Sequence, residues 1–580
     1  MHRTVHSPDE AIAALSDHGV QRGSPVGLAV HDSTVGFAAG DHTIAVEGGD
    51  AFRCVAAVER TIRPRWVLWS PDTAAALVRS GIRVSTAWDV AAVHRLLAGG
   101  WRNDPARVWA YLHGLDRRHT PVAGQLDLMG GDAGDETDQP VRPDGYLRAE
   151  WVDGSWRRSS TDAAAWAAVV LRVAALQGER LRALSKTGAV AGDSEATARA
   201  ESTAELLCAE LAHDGLPIDR LAAVELISSL VGPRPQNEAE AAEGRRRRDA
   251  EVFVHLSSAA GVDLRNPADV KAMLRRVGID VPDTRAWRLE GMRSVHPVVD
   301  ALLAWRKAER IATTFGHTWL AEHVGSDGRL RGAWSASDGA AGRMTAQAGL
   351  HNLPAELRDV VVAEHGHVFV RADLGQIEPR VLAAVSGDEA LRRATQDDDL
   401  YAPVAKRLGV ERSVAKIAVL AAMYGQTSGT AGQALRGMEA AYPVAMKFLD
   451  TAAQQGQAGI DIRTYGGRLI RVGEVADGDV RGAAAAARGR YARNAMVQGA
   501  AAELFKVWAV TVRARLGDLD ARIVLCLHDE LLLHVREEDA TGVVALLDRC
   551  LGEAAHRWHP TSGVRFVTDT SIVRSWAEAK

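Results

Sequence analysis

Three short stretches hold side chains whose types and spacing suit chemistry on a charged substrate. In the first, Asp373 ends the run Val368-Phe369-Val370-Arg371-Ala372 and is followed by Leu374-Gly375-Gln376-Ile377-Glu378-Pro379-Arg380. The run reads as a buried strand, and Pro379 is tolerated in the first turn of a helix. A carboxylate where a strand hands over to a helix can hold a hard cation; taken alone, such an Asp is more often a helix cap. In the second, His528-Asp529-Glu530 lies between the apolar runs Ile523–Leu527 and Leu531–Val535, the pattern of a hairpin with a polar tip. A plain hairpin favours Asn-Gly or Asp-Gly there. Two adjacent acids repel unless a cation or solvent relieves them, so this tip is either a cation site or an exposed turn. In the third, Arg412, Lys416, Leu420 and Tyr424 recur every four residues and precede Gly425. Steps of four drift by about 40° on a helix and form one slowly winding stripe. Two stacked cations with no acid between them in sequence are mildly destabilising, which makes sense if they grip a polyphosphate. The plainer reading is a solvated basic face.

The elements that must position these residues belong to a chain of 580 residues, long enough for about three or four domains. Its 69 basic and 74 acidic residues give a formal net charge of −5, so any nucleic-acid surface must be a local stripe rather than a bulk excess. The four cysteines, Cys54, Cys208, Cys526 and Cys550, are scattered, which argues against a disulfide framework or a zinc site and fits a reducing cytosol. No run of about 18 uncharged apolar residues is present, so no membrane span is expected, and the acids at 9 and 10 speak against a signal peptide. Residues 1 to about 185 read as mixed α/β, with strands at Val26–Val30 and Trp66–Trp69 and helices at Ala91–Leu97 and Ala163–Leu176. The segment Gly130–Gly145 reads as a loop, and Lys186–Arg199 as a candidate domain boundary. From Glu201 to about His323 the apolar spacing is helical. The cluster Arg245–Arg248 there is either a solvated face or a DNA-backbone contact.

Taken together and in this order, the three stretches resemble family A DNA polymerases of the bacterial polymerase I large-fragment type. The first motif of that family reads Asp-Tyr-Ser-Gln-Ile-Glu-Leu-Arg, against Asp373 to Arg380 here. Its finger helix carries Arg, Lys, an aromatic and Tyr-Gly at the spacing of Arg412 to Gly425, and its third motif is His-Asp-Glu. Gly342-Arg343 with His351-Asn352-Leu353-Pro354, Thr464 to Arg468, and Arg490, Asn494, Gln498-Gly499 and Lys506 add weaker matches. The resemblance implies an α/β multidomain fold: a right-hand polymerase with an antiparallel palm sheet and helical fingers and thumb, preceded by an RNase H-like exonuclease-type domain. It places that first domain at 1–190, the thumb at 200–330, the palm at 331–400 and 500–580, and the fingers at 401–499.

The resemblance further implies template-directed attack of a primer 3′-hydroxyl on a deoxynucleoside triphosphate. Asp373 and Asp529 would hold two Mg²⁺ ions, with Mn²⁺ able to substitute, and Glu530 and Lys416 would assist catalysis. Arg412, Lys416, Leu420, Tyr424, Gln376 and Glu378 would form the dNTP site, Glu378 closing off the space of a ribose 2′-hydroxyl. Arg343, Asn352, Arg490, Asn494, Gln498 and His528 would contact primer–template DNA. Leu420 stands where the family has Phe or Tyr, and Leu374, Gly375 and Pro379 also depart from the motif. Val26–Val30 is followed by His31-Asp32-Ser33 without the Asp-x-Glu of the family's exonuclease, so that domain is expected to be inactive, as in short relatives in actinobacteria. A 5′-nuclease domain is expected to be absent, and the protein to be a cytoplasmic, nucleoid-associated monomer. The alternative is a DNA-binding accessory protein with a decayed polymerase site.

Overall fold

The computed structural model describes residues 2–48, 51–69, 71–121, 139–258, 261–425, 430–473, 482–517 and 519–579. Most of the expected 130–145 loop lies outside them. They form two compact units, both discontinuous in sequence: Met1–Asp214 with Ala333–Thr345 and Val368–Ile572, and Gly215–Gly332 with Ala346–His367 and Val573–Lys580.

The first unit begins with a six-stranded sheet of β1 (His2–Val5), β2 (Pro25–His31), β3 (Thr34–Ala39), β4 (His42–Val46), β5 (Arg65–Leu68) and β6 (Ala87–Asp89), ordered β1-β4-β3-β2-β5-β6. β2, β3 and β4 form an antiparallel meander, while β5 and β6 run parallel to β2. The sequence pattern found β2 and β5 to within a residue or two. Helix α1 (Ser160–Lys186) starts where the Ser159 hydroxyl accepts the Asp162 amide at 3.0 Å, an ordinary N-cap. It lies directly on the sheet because Gly27 and Gly36 leave room for its backbone. A Cβ at Gly36 would stand 2.1 Å from the Ala164 nitrogen, and one at Gly27 2.2 Å from the Ala167 oxygen. Helix α2 (Ser194–Asp214) starts inside the expected boundary 186–199 and belongs wholly to the first unit. Its buried Leu206, Leu207 and Leu211 reward continued packing more than a linker would.

The second sheet of this unit is built from β7 (His367–Leu374), β8 (Ala521–Leu527), β9 (Glu530–Arg536) and β10 (Thr568–Val573), ordered β8-β9-β7-β10. β7 alternates as a strand must. Val368, Val370, Ala372 and Leu374 enter the main core with Phe505, Trp508 and Leu547, which leaves Arg371 and Asp373 on the other face. Around the sheet stand α3 (Ile377–Ser386), α4 (Arg412–Tyr424), α5 (Pro443–Gln457), α6 (Ala483–Leu516) and α7 (Ala540–Trp558). α6 has 34 residues, about 51 Å at 1.5 Å per residue, and packs on α2, α5 and α7.

The second unit is largely helical, with its own core around Leu274, Val298, Leu302 and Trp305. The cluster Arg245–Arg248 lies on the helix Glu238–Phe253. Arg248 turns inward to Glu309 at 2.8 Å and Arg246 pairs with Glu243 at 2.6 Å on the same helix, while Arg245 and Arg247 are exposed. All four cysteines are buried free thiols. No helix among the described residues is long and apolar enough to cross a membrane.

Candidate active site

The site grows from the junction of β7 with the β8–β9 hairpin. Leu527 pairs with Glu530 across the hairpin, so His528 and Asp529 form a two-residue turn. His528 takes a φ of 54°, a left-handed conformation that normally costs a non-glycine residue about 1–2 kcal/mol. The Leu374 amide donates to the Asp529 carbonyl at 2.9 Å. That bond brings the turn beside the end of β7, so Asp373 and Asp529 meet at one end of the sheet.

Their electrostatics agree with this closeness. Burial, then the charge of Asp529, pushes the Asp373 carboxyl up to about 6. Asp529 is also raised, by burial first and then by Glu378 and Glu530. Crowded acids with raised affinity for protons are acids short of positive charge. Hard carboxylate oxygens in that condition suit Mg²⁺ or Mn²⁺, and Mg²⁺ is commonly held by one or two carboxylates together with substrate phosphates. The donor set therefore fits divalent cations through Asp373 and Asp529. Glu530 does not complete a three-carboxylate cage, since the three acids do not offer oxygens all within 4.8 Å of one another. Instead Glu530 accepts from Arg371 Nε at 2.8 Å, and the same guanidinium reaches Asp373 Oδ2 at 3.0 Å.

Beside the carboxylates is a cleft of about 190 Å³ lined by Arg343, Gln376, Ile377, Glu378, Pro379, Tyr401, Leu420, Gln498, Ala501, Ala502, His528 and Asp529. Seven of the residues singled out in sequence thus share one wall-to-wall space: Arg343, Gln376, Glu378, Leu420, Gln498, His528 and Asp529. The Tyr424 hydroxyl donates to Glu378 Oε2 at 3.3 Å. Burial raises the Glu378 carboxyl, and bonds to Tyr424 and Gln498 partly offset it. Gln376, at a φ of 54° before α3, is fully engaged: its amide nitrogen donates to Asp399 at 3.0 Å and its oxygen accepts the Leu400 amide at 2.8 Å.

The stripe on α4 is present as expected. Ala415, Ala418, Val419, Ala422 and Met423 are buried, Arg412 and Lys416 are exposed, and Leu420 and Tyr424 are half-buried. Sequence placed no acid between Arg412 and Lys416, but the fold supplies Arg412 with one: Asp399 accepts from Arg412 Nη2 at 3.1 Å and from its Nε at 2.5 Å. Lys416 pairs with no described residue. On α6, Arg490 is exposed and Asn494 keeps a buried side-chain oxygen without a hydrogen-bond partner. Lys506 does not join this surface. It is fully buried and donates to Glu201 at 2.6 Å, with Arg468 on the other oxygen at 2.6 Å. Burial draws the lysine down to about 8. Asn352 lies in the second unit, on the turn Leu350–Asn352, where its carbonyl accepts from Arg310 at 2.6 Å.

Four residues that sequence reasoning passed over shape the site. Arg371 could have been found, because it stands two positions before Asp373 and a strand points both the same way. Tyr401 lines the cleft, and Asp399 holds Arg412; neither follows a periodic pattern. Arg380 is completely buried and donates to the carbonyls of Gly375, Thr395, Asp397, Asp398 and Arg565 at 2.6–3.0 Å, fixing the segment that carries Asp399.

The profile of DNA polymerase family A matches residues 263–578, more than half of the chain. The chain is 30% identical over 320 residues to the thermostable DNA polymerase I of Thermus filiformis, covering 50% of this chain and 38% of that protein. It is 33% identical over 290 residues to the DNA polymerase I of Chloroflexus aurantiacus, covering 45% and 30%. In both, the match spans well under half of the relative's own length. A solved structure of the POL domain of Pol1 from M. smegmatis, in complex with DNA primer-template and dNTP, shares the fold with a TM-score of 0.70 at 22% identity over 100% of both chains. The chain belongs to DNA polymerase family A.

Proposed function

We propose that this chain is a template-directed DNA polymerase that adds deoxynucleotides to a primer 3′-hydroxyl, in the right-hand arrangement of palm, fingers and thumb. The observation that carries this reading is the main-chain bond from Leu374 to Asp529, which brings Asp373 and Asp529 together beside the cleft under α4. Divalent ions held there would activate the attacking hydroxyl and neutralise the departing pyrophosphate. The chain's own groups do the rest. Lys416 meets the triphosphate, joined by Arg412 once it exchanges Asp399 for phosphate. Glu378, held by Tyr424, bars a ribose 2′-hydroxyl, and Leu420 and Tyr401 flank the nucleotide. Arg343, Arg490, Asn494, Gln498 and His528 hold the primer terminus through minor-groove and phosphate contacts, where readout checks pair geometry more than sequence.

The N-terminal sheet, ordered β1-β4-β3-β2-β5-β6, is read as an RNase H-like exonuclease-type domain without proofreading. Asp32 sits in an exposed turn with His31 at 3.5 Å. Asp89 caps the helix that follows it by accepting the Ala92 amide at 2.8 Å, and Asp72 lies near Arg157 at 3.7 Å. Among the described residues of this region, no three metal-ligating side chains converge.

Primer extension on a defined template with Mg²⁺ and dNTPs tests the proposal; no product under any divalent ion would reject it. A second reading, a DNA-binding protein whose chemistry has lapsed, is favoured by one feature, the guanidinium of Arg371 among the catalytic acids. It requires tight primer–template binding without extension.

A further inference from the structure

Arg371 lies on the same face of β7 as Asp373, opposite the face that enters the core. All three of its guanidinium nitrogens are engaged with acids: Nε with Glu530 Oε2 at 2.8 Å, Nη2 with Asp373 Oδ2 at 3.0 Å, and Nη1 with Asp569 Oδ2 at 3.5 Å. Its side chain is only 12% exposed and that of Glu530 16%, so this is a built contact rather than a loose surface pair. Arginine does not lose its proton in a protein, so the charge is permanent. The planar fork also matches carboxylate geometry better than a lysine would.

We propose that Arg371 is a built-in cation of the carboxylate cluster, holding Glu530 and one edge of Asp373 away from the divalent-ion site and thereby weakening that site. The inference rests on the reading of Asp373 and Asp529 as metal ligands. Asp529 and the Asp373 oxygen that Arg371 does not touch would hold the ion, beside a fixed positive charge in the same cluster. At hydrogen-bond range in a partly buried site, a unit charge shifts the affinity of a divalent ion at least about tenfold. Arg371 is thus a positioning residue: it sets how much of the cluster's negative charge remains for metal. A site arranged this way would fill chiefly when a triphosphate brings its own oxygens.

Mn²⁺ binding to the full chain, without DNA or nucleotide, tests this by electron paramagnetic resonance of the free ion, with melting temperature as a second readout. Arg371→Met should bind Mn²⁺ at least about tenfold more tightly than the wild type. It should also melt lower without the ion and recover when Mn²⁺ is added. Arg371→Lys, which keeps the charge but not the fork, should fall between the wild type and Arg371→Met. Asp529→Asn should abolish binding in either background. Equal Mn²⁺ affinity in the wild type and Arg371→Met, with Asp529→Asn still abolishing it, overturns the role of Arg371 and leaves the metal site standing. Binding indifferent to Asp529→Asn overturns the metal-ligand reading, and this inference with it. Should Arg371→Met fail to fold without the ion, cooperative melting restored by Mn²⁺ supports the proposal, and failure to recover at any Mn²⁺ concentration overturns it.

Discussion

The molecule uses the same local device twice, with opposite results. In the N-terminal sheet, β2 and β3 are joined by a two-residue turn, Asp32-Ser33, and Asp32 takes a φ of 48°. In the C-terminal sheet, β8 and β9 are joined by His528-Asp529, with His528 at 54°. Each hairpin carries an aspartate at its tip. The side chain of Asp32 is 88% exposed, with His31 3.5 Å away, whereas Asp529 is met by Asp373, Glu378 and Glu530. The turn makes an acid available; a third strand bearing a second acid, bonded to that turn, gives it chemistry to do.

The sharpest way to break this comparison is to delete each acid. Asp529→Ala should lower primer extension about 10²–10³-fold, the usual penalty for removing an electrostatic stabiliser, while Asp32→Ala should leave extension within twofold. Comparable losses from both would show that the N-terminal hairpin takes part. A labelled primer held with metal ions and no nucleotides should keep its length in both proteins.

The two sheets also differ in what ties them to their helices. Behind the C-terminal site, Arg380 satisfies five carbonyls, and Arg380→Ala should cost at least ~3 kcal/mol of unfolding free energy, because buried acceptors are left unpaired. In the N-terminal sheet the tie is steric. Gly36→Ala drives a methyl into the backbone of α1 and should cost about 1–3 kcal/mol. Urea titrations of both variants rank the two, and a reversed order would recast the N-terminal packing as the stiffer half.

Metal response is a gentler discriminator. The Asp373 carboxyl is raised from 3.8 to about 6 in the fold, so the folded chain holds that proton more tightly than the unfolded one. The resulting stability is fully present below about pH 4 and is lost as pH rises through about 6. An ion that replaces the proton offsets the loss, so Mg²⁺ should raise the melting temperature more at pH 7.5 than at pH 5. Asp32→Asn should leave that difference unchanged, and a response equal at both pH values would detach Mg²⁺ from Asp373. The smallest expected effect concerns Arg412. Asp399→Asn frees the exposed arginine from its half-buried partner and should lower the KM for dNTP by roughly two- to fivefold, as suits an ion pair near the surface.

Much of this was legible in the sequence where local pattern and structure coincide. The apolar run to Asp373, the hairpin around His528–Glu530 and the stripe from Arg412 to Tyr424 are each periodic, and each folds as its period says. What stayed hidden depends on partners remote in the chain. Nothing local marks Asp399 as the counter-ion of Arg412, or Glu201 as the reason Lys506 faces inward rather than toward DNA. The soft stretch 186–199 has the composition of a linker, yet α2 begins within it because its apolar face has a core to enter. Arg371 is the instructive omission, since the two-residue period of a strand already placed it beside Asp373.

The bond between Leu374 and Asp529 is made by main chain alone. Neighbouring strands stand about 4.8 Å apart whatever their side chains, so the gap between the two acids is metered by peptide geometry. Substitutions all around, such as Leu374, Gly375 and Pro379 in the first motif, can accumulate without retuning it. A lineage can rewrite nearly everything near such a gauge and still hand its next ligand the same span to bridge.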